Sequence, residues 1–187
     1  MLELLNFLNS VHPITPEAQH YLGTVLRKKE LRKNQVWLQE GAVCDKIAFI
    51  NTGLVKVYFE TGLKEVCLWY NKENEVIISA HSFFGQSTSH LAIRAVEPTT
   101  VYYITYTELQ KIYGQHIDFN VNGRRILEHY YSISETHVML LLQPPRQRFE
   151  AIGKFYPWMV DGSRLTDKML AAYLGITPVT LSNFRNH

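Results

Sequence analysis

Apolar residues recur with a helical period at both ends of the chain and with a shorter, strand-like period between them. Leu2, Leu4, Leu5 and Leu8 place a short amphipathic helix at the start. Thr15-Pro16-Glu17 supplies a cap and a proline at the first helical position, and Ala18, Tyr21, Leu22, Val25 and Leu26 give the next helix one apolar face, as far as the basic Arg27-Lys28-Lys29. From Val36 to Ile104 the runs shorten to strands at Val36 to Leu38, Lys46 to Ile50, Leu54 to Phe59, Glu65 to Tyr70, Val76 to Ile78, Leu91 to Val96 and Val101 to Ile104. Asn51-Thr52-Gly53, Glu60-Thr61-Gly62 and Glu97-Pro98 separate several of them as turns, and many short strands at even spacing predict a β-sandwich or roll. Thr105 to Glu108 reads as a capping box that opens a helix on Leu109, Ile112 and Tyr113.

Asp118 to Gln143 is the longest helical pattern. Ile126, Tyr130, Ile133, His137 and Leu140 follow one another at heptad spacing, with Leu127, Tyr131, Val138 and Leu141 as a second stripe beside them. One stripe is expected to pack on the β domain and the other to meet a second copy of the chain. The heptad seam is taken as the dimer contact, in a two-fold pair of parallel helices; a helix buried within a monomer is the alternative. His137 is expected to be packed or hydrogen-bonded rather than a ligand. Pro144-Pro145 stops this helix and marks the expected boundary between residues 1–143, ending in the dimerisation helix at about 118–143, and residues 144–187. Phe149, Ile152, Gly153 and Phe155 predict a further helix ending before Pro157.

The last segment carries two short helices meeting at Gly175. Leu170 and Leu174 form the apolar face of the first, Ala171 is the small residue at the crossing, and Ile176, Leu181 and Phe184 are the buried side of the second. Thr166-Asp167 and Thr177-Pro178 are their start signals. This is the pattern of a helix-turn-helix.

Composition narrows the class little: 187 residues, 46% hydrophobic and 19% charged, with a net charge of +2, describe an ordinary globular chain. The distribution of charge says more. Residues 144–187 hold six basic and three acidic side chains, which favours an anionic partner at that end. The first five residues lack the basic start of a signal peptide and no apolar run approaches a membrane span, so a cytoplasmic protein without membrane contact is expected. Cys44 and Cys67 are well separated, without metal-like spacing, and are expected to be buried small side chains.

The order of elements resembles the family of bacterial transcription regulators that includes the cyclic AMP receptor protein and the fumarate–nitrate regulator, the Crp/Fnr type. Glu40 to Tyr58, with its turn at Gly53, is similar to the family's first hairpins, and Tyr173 to Pro178 with Thr180-Leu181-Ser182 is similar to the recognition segment of members common in the Bacteroidetes. The resemblance implies an α+β fold: an N-terminal cyclic-nucleotide-binding-like β-roll (a double-stranded β-helix or jelly roll), the long dimerisation helix, then a small all-α helix-turn-helix domain. Since the chain stops at His187, the two-stranded wing of longer members is not expected. In cyclic-nucleotide-binding members a Gly-Glu pair and an Arg-Ser pair hold ribose and phosphate. Aligned on Arg94-Ala95, those positions fall on Ile78-Ser79 and Ser89-His90, so ordinary cyclic AMP binding is not expected. The polar stretch around them, with His81, Ser87 and Thr88, either takes another small effector or is an empty loop, and the loop is favoured. His81 and His90 lack a third metal ligand, and two scattered cysteines exclude the family's iron–sulfur cluster, so no metal or cofactor is expected.

The function this implies is a homodimeric regulator of double-stranded DNA whose second helix enters the major groove. Thr177, Val179, Thr180, Ser182 and Asn183 would face the DNA. Asn183 suits adenine, Val179 a thymine methyl, and Thr177, Ser182 and Arg185 suit phosphates. Lys168, Arg146 and Arg148 are further candidates for backbone contact, with a solvated face as the simpler reading. The alternative is a small-molecule-sensing or protein-interaction dimer with degenerate DNA binding. No nucleophile, base and orienting residue occur together, so an enzyme is not expected.

Overall fold

The structure, a computed structural model, describes residues 1–62 and 64–186; His187, the end of the chain in the wing expectation, lies outside them. Helices α1 (Leu2–Val11) and α2 (Pro16–Val25) open the chain and bury Leu4, Leu8, Ala18 and Leu22. The Thr15 hydroxyl accepts from the Ala18 amide and caps α2. The basic run after it is not a helix tail. Arg27–Leu31 is strand β1, an edge strand exposed as far as Glu30, and its solvated lysines and arginine hide any strand periodicity.

Among the described residues seven more strands follow: β2 (Val36–Leu38), β3 (Lys46–Thr52), β4 (Val55–Thr61), β5 (Lys64–Asn71), β6 (Val76–Ile77), β7 (Ala92–Ala95) and β8 (Thr99–Thr105). They form two antiparallel four-stranded sheets, ordered β1-β8-β3-β6 and β2-β7-β4-β5. Strands distant in sequence, such as β1 with β8 and β2 with β7, pair across the roll, as a jelly roll requires. Ile50, Val55, Ile77, Phe83, Ile93 and Val101 fill the core, each large side chain removed from water stabilising by about 1.5–3 kcal/mol. Gly53 has φ 106°, and a Cβ there would lie 2.4 Å from Thr99 Oγ1, so the turn between β3 and β4 requires glycine twice over.

Between β6 and β7 the expected loop is partly helical, Ala80–Gly85 forming α3. Helix α4 (Tyr106–Gln115) opens with the Thr105–Glu108 capping box, and α5 (Ile117–Leu141) is the long helix. Helix α6 (Pro145–Phe155) begins on Pro145 and buries Ile152, and a short α7 (Pro157–Val160), absent from the sequence expectation, buries Met159. Helices α8 (Asp167–Leu174) and α9 (Pro178–Asn186) complete the chain.

The chain divides into two compact units, Met1–Leu127 and Glu128–His187, the division falling inside α5. Cys44 and Cys67 are buried free thiols, and burial pushes Cys67 up to about 12. Among the described residues, no helix is long and apolar enough to cross a membrane.

Candidate nucleic-acid interface and effector cassette

The helix-turn-helix is assembled by local signals that the sequence carries in full. Thr166 accepts from the Met169 amide (3.3 Å) and Thr177 from the Thr180 amide (3.1 Å), so each helix starts on a threonine cap. Gly175 is left-handed (φ 65°, ψ 32°). The Gly175 and Ile176 amides donate to Ala172 O (3.2 Å) and Ala171 O (3.0 Å), the paired bonds of a Schellman stop. Leu170, Ala171, Leu174 and Leu181 are buried at the crossing, Ile176 and Phe184 are half-buried, and Phe184 packs against Phe149 of α6 at 5.9 Å.

Packing leaves Thr177, Val179, Ser182 and Asn183 exposed on α9, with Val179 71% exposed. Thr180 is half-buried, its hydroxyl 2.9 Å from that of Thr177. Lys168 is exposed on α8. Arg185, the one charged side chain of α9, points elsewhere: it pairs with Asp167 (2.8 Å) and donates to Val160 O (3.2 Å), tying α9 to the start of α8 and the end of α7. Arg146 pairs with Glu150 and lies over the Phe184 ring, while Arg148 is half-buried. Arg185 and Arg148 are therefore engaged within the fold, which spacing in the sequence does not reveal because Asp167, Val160 and the Gly175 turn are remote from them along the chain.

The seven cassette residues are not one polar pocket lining. Ser79 and Ser89, both 2% exposed, bring their hydroxyls to 2.8 Å, and the Ser89 hydroxyl also bonds the Leu91 backbone at the carbonyl (2.7 Å) and amide (3.0 Å). Ser89 is further fixed by backbone bonds with Gly41 and Ala42, and Thr88 bridges Val43. Ser82, which the sequence reading passed over, accepts from the Cys44 amide (2.8 Å) and donates to Ser87 O. Ile78 packs against the core. His81, Thr88 and His90 are exposed, the two imidazoles stacked at 5.7 Å, and no group of three metal-binding side chains occurs among the described residues. From Ile78 to Leu91 there is no lysine, arginine, aspartate or glutamate, and His81 and His90 are the titratable side chains of the stretch.

Within the single chain the heptad seam of α5 is the more buried of its two stripes. His137 and Leu140 of the heptad seam are 7% and 6% exposed within the single chain, Ile126 packs on the core of the first unit, and Tyr130 and Ile133 are half-buried. Tyr131 and Val138 of the second stripe are 68% and 57% exposed, with Leu127 and Leu141 also exposed. Both stripes have heptad spacing, and only the packing of the neighbouring elements decides which one is used inside the chain.

An eight-stranded roll, a long helix and a terminal helix-turn-helix define a class of protein. Residues 28–116 match the cyclic nucleotide-binding domain family. Similar solved structures extend over most of the chain. FixK2 from Bradyrhizobium japonicum superposes with a TM-score of 0.70 at 20% identity, covering 87% of this chain and 83% of that one. A protein assigned to the Crp/Fnr family of transcriptional regulators from Eubacterium rectale gives 0.71 at 11%, covering 95% and 86%. The c-di-GMP-responsive global regulator CLP from Xanthomonas campestris gives 0.65 at 14%, covering 92% and 90%. No curated protein sequence matches the chain. Residues 28–116 thus resemble a cyclic nucleotide-binding domain, and the chain shares the fold of the solved Crp/Fnr-type structures.

Proposed function

We propose that this chain is a homodimeric, sequence-specific DNA-binding transcription regulator that acts without cyclic AMP. The observation that carries the reading is the α8–Gly175–α9 unit, capped at both starts, with Thr177, Val179, Ser182 and Asn183 left exposed along α9. A helix of this size fits the major groove. Val179 offers an apolar surface to a thymine methyl, Asn183 a donor and acceptor to adenine, and Thr177 and Ser182 hydroxyls to phosphates. The long helix supplies the two-fold partner, through the exposed stripe of Leu127, Tyr131, Val138 and Leu141.

Selection from random duplexes followed by binding across a salt series tests this. A preferred sequence with affinity falling as salt rises supports it; with Arg185 engaged by Asp167, the slope should be shallow, each neutralised phosphate adding about 0.9 to it. Equal affinity for all sequences sinks it. The uncharged face of α9 favours the second reading, a sensing or interaction dimer with degenerate DNA binding, and that result would establish it.

Independence from cyclic AMP rests on the Ser79–Ser89 contact, which stands where the family's acid and arginine would be. Titration with cyclic AMP or cyclic GMP should leave the melting temperature unchanged, whereas ligand at a hundredfold its Kd would add about 2.7 kcal/mol. A clear shift at micromolar ligand refutes this part.

A further inference from the structure

The C-terminal unit contains more than the helix-turn-helix: it includes the second half of α5, and with it most of the exposed stripe. Two contacts join these parts directly, the first of them buried. His137 Nδ1 lies 3.1 Å from the Tyr173 hydroxyl, their rings 5.6 Å apart, so the inward face of α5 is bonded to the scaffold helix α8. Arg148, from α6, reaches both ways. One terminal nitrogen donates to Leu141 O at 3.5 Å, in the last turn of α5, where a cation is favoured by the helix dipole. The same guanidinium lies against the Gly175 turn, 3.6 Å from where a Cβ would stand, and its Nε is buried without a hydrogen-bond partner. A buried, unpartnered Nε on a half-buried arginine is a cost accepted for the geometry of the group.

These contacts span Pro144-Pro145, the helix stop at which the sequence places a domain boundary. We infer that His137, Tyr173 and Arg148 are positioning residues that lock the helix-turn-helix onto the pairing helix and so set the spacing of the two operator half-sites. The inference rests on the dimeric DNA-binding reading above. In a two-fold dimer joined through α5, the separation of the two α9 helices is fixed only if each is rigid relative to its own α5. One base pair moves a half-site by about 3.4 Å along the duplex and turns it by about 35°, so a rigid dimer rejects a shifted site and a loosened one tolerates it.

The test uses the full chain and the palindromic duplex it selects from a random library, together with that duplex lengthened or shortened by one central base pair and an isolated half-site. The wild type should lose about tenfold or more in affinity on either change. Tyr173→Phe with Arg148→Met should bring that loss to about threefold or less while half-site affinity changes by about twofold at most, and His137→Asn, whose amide can replace Nδ1, should retain the discrimination. A folded double variant with undiminished spacing discrimination overturns the inference. If the double variant fails to fold, Tyr173→Phe and Arg148→Lys are read singly, and full discrimination in both folded singles overturns it equally. A wild type that selects no sequence overturns the DNA-binding reading and this inference together; one that selects a sequence yet ignores spacing overturns the inference alone.

Discussion

His137 has lost contact with water, and burial pushes its imidazole down to about 4 from an ordinary 6.5, so it is neutral at pH 7. The unfolded chain therefore binds the proton first. The stability associated with neutral His137 is complete above pH 6.5 and is lost as pH falls toward 4. Melting temperatures between pH 7 and 5 should fall in the wild type and fall less in His137→Gln; identical slopes would count against it. Glu108 does not interfere in that window, since the hydrogen bond from Arg27 holds it near 2. Glu75 is raised by burial and acts in the opposite sense, which makes the difference between the two proteins, rather than either slope alone, the quantity to read. The two turn glycines separate conformation from space. Gly175→Ala should cost about 1 kcal/mol, because its left-handed backbone is strained by a Cβ that meets only ordinary contacts. Gly53→Ala adds a clash with Thr99 and should cost about 2–4 kcal/mol in denaturant unfolding. Equal losses at the two sites would refute that distinction.

Among the elements, the α3 cassette turned its polar residues inward. Ser79, Ser82 and Ser89 knit the Gly41–Cys44 segment to α3 and to the start of β7, using as scaffold the positions that a nucleotide would otherwise address. Ser89→Ala leaves the buried Ser79 hydroxyl without this partner and should destabilise by about 1–3 kcal/mol, while adding Ser79→Ala should cost little more; strictly additive losses would show that the pair is not coupled. The missing acid and arginine are visible in the chain itself. The serine network is not, because a serine's partner is set by which loop folds over it. In the same way the caps and the Gly175 stop of the helix-turn-helix were legible, each involving residues within a few positions, whereas the Arg185–Asp167 pair and the Arg148 contacts close over long sequence distances.

For the whole molecule the exposed stripe of α5 is the consequential surface. Leu127, Tyr131, Val138 and Leu141 present an apolar row at heptad spacing, and in the dimer proposed above a second copy would remove that row from water. Tyr131→Glu with Val138→Glu should convert a dimer into a monomer in sedimentation analysis while leaving the circular dichroism of the roll intact; a dimer that survives both charges places the interface elsewhere. Changing the inward His137 and Leu140 should instead lower the melting temperature.

By itself the sequence determined the order of elements, the caps, the turn glycines and the absence of lysine, arginine, aspartate and glutamate from Ile78 to Leu91, since each depends on residue type at short range. Tertiary structure alone decided that the basic run after α2 is an edge strand, that His137 and Leu140 face inward while Tyr131 and Val138 face out, and that Arg148 and Arg185 are held within the fold. Two stripes of equal periodicity, or two arginines of equal charge, are indistinguishable along a chain. What separates them is which neighbours pack against each, and those neighbours come from elsewhere in the sequence.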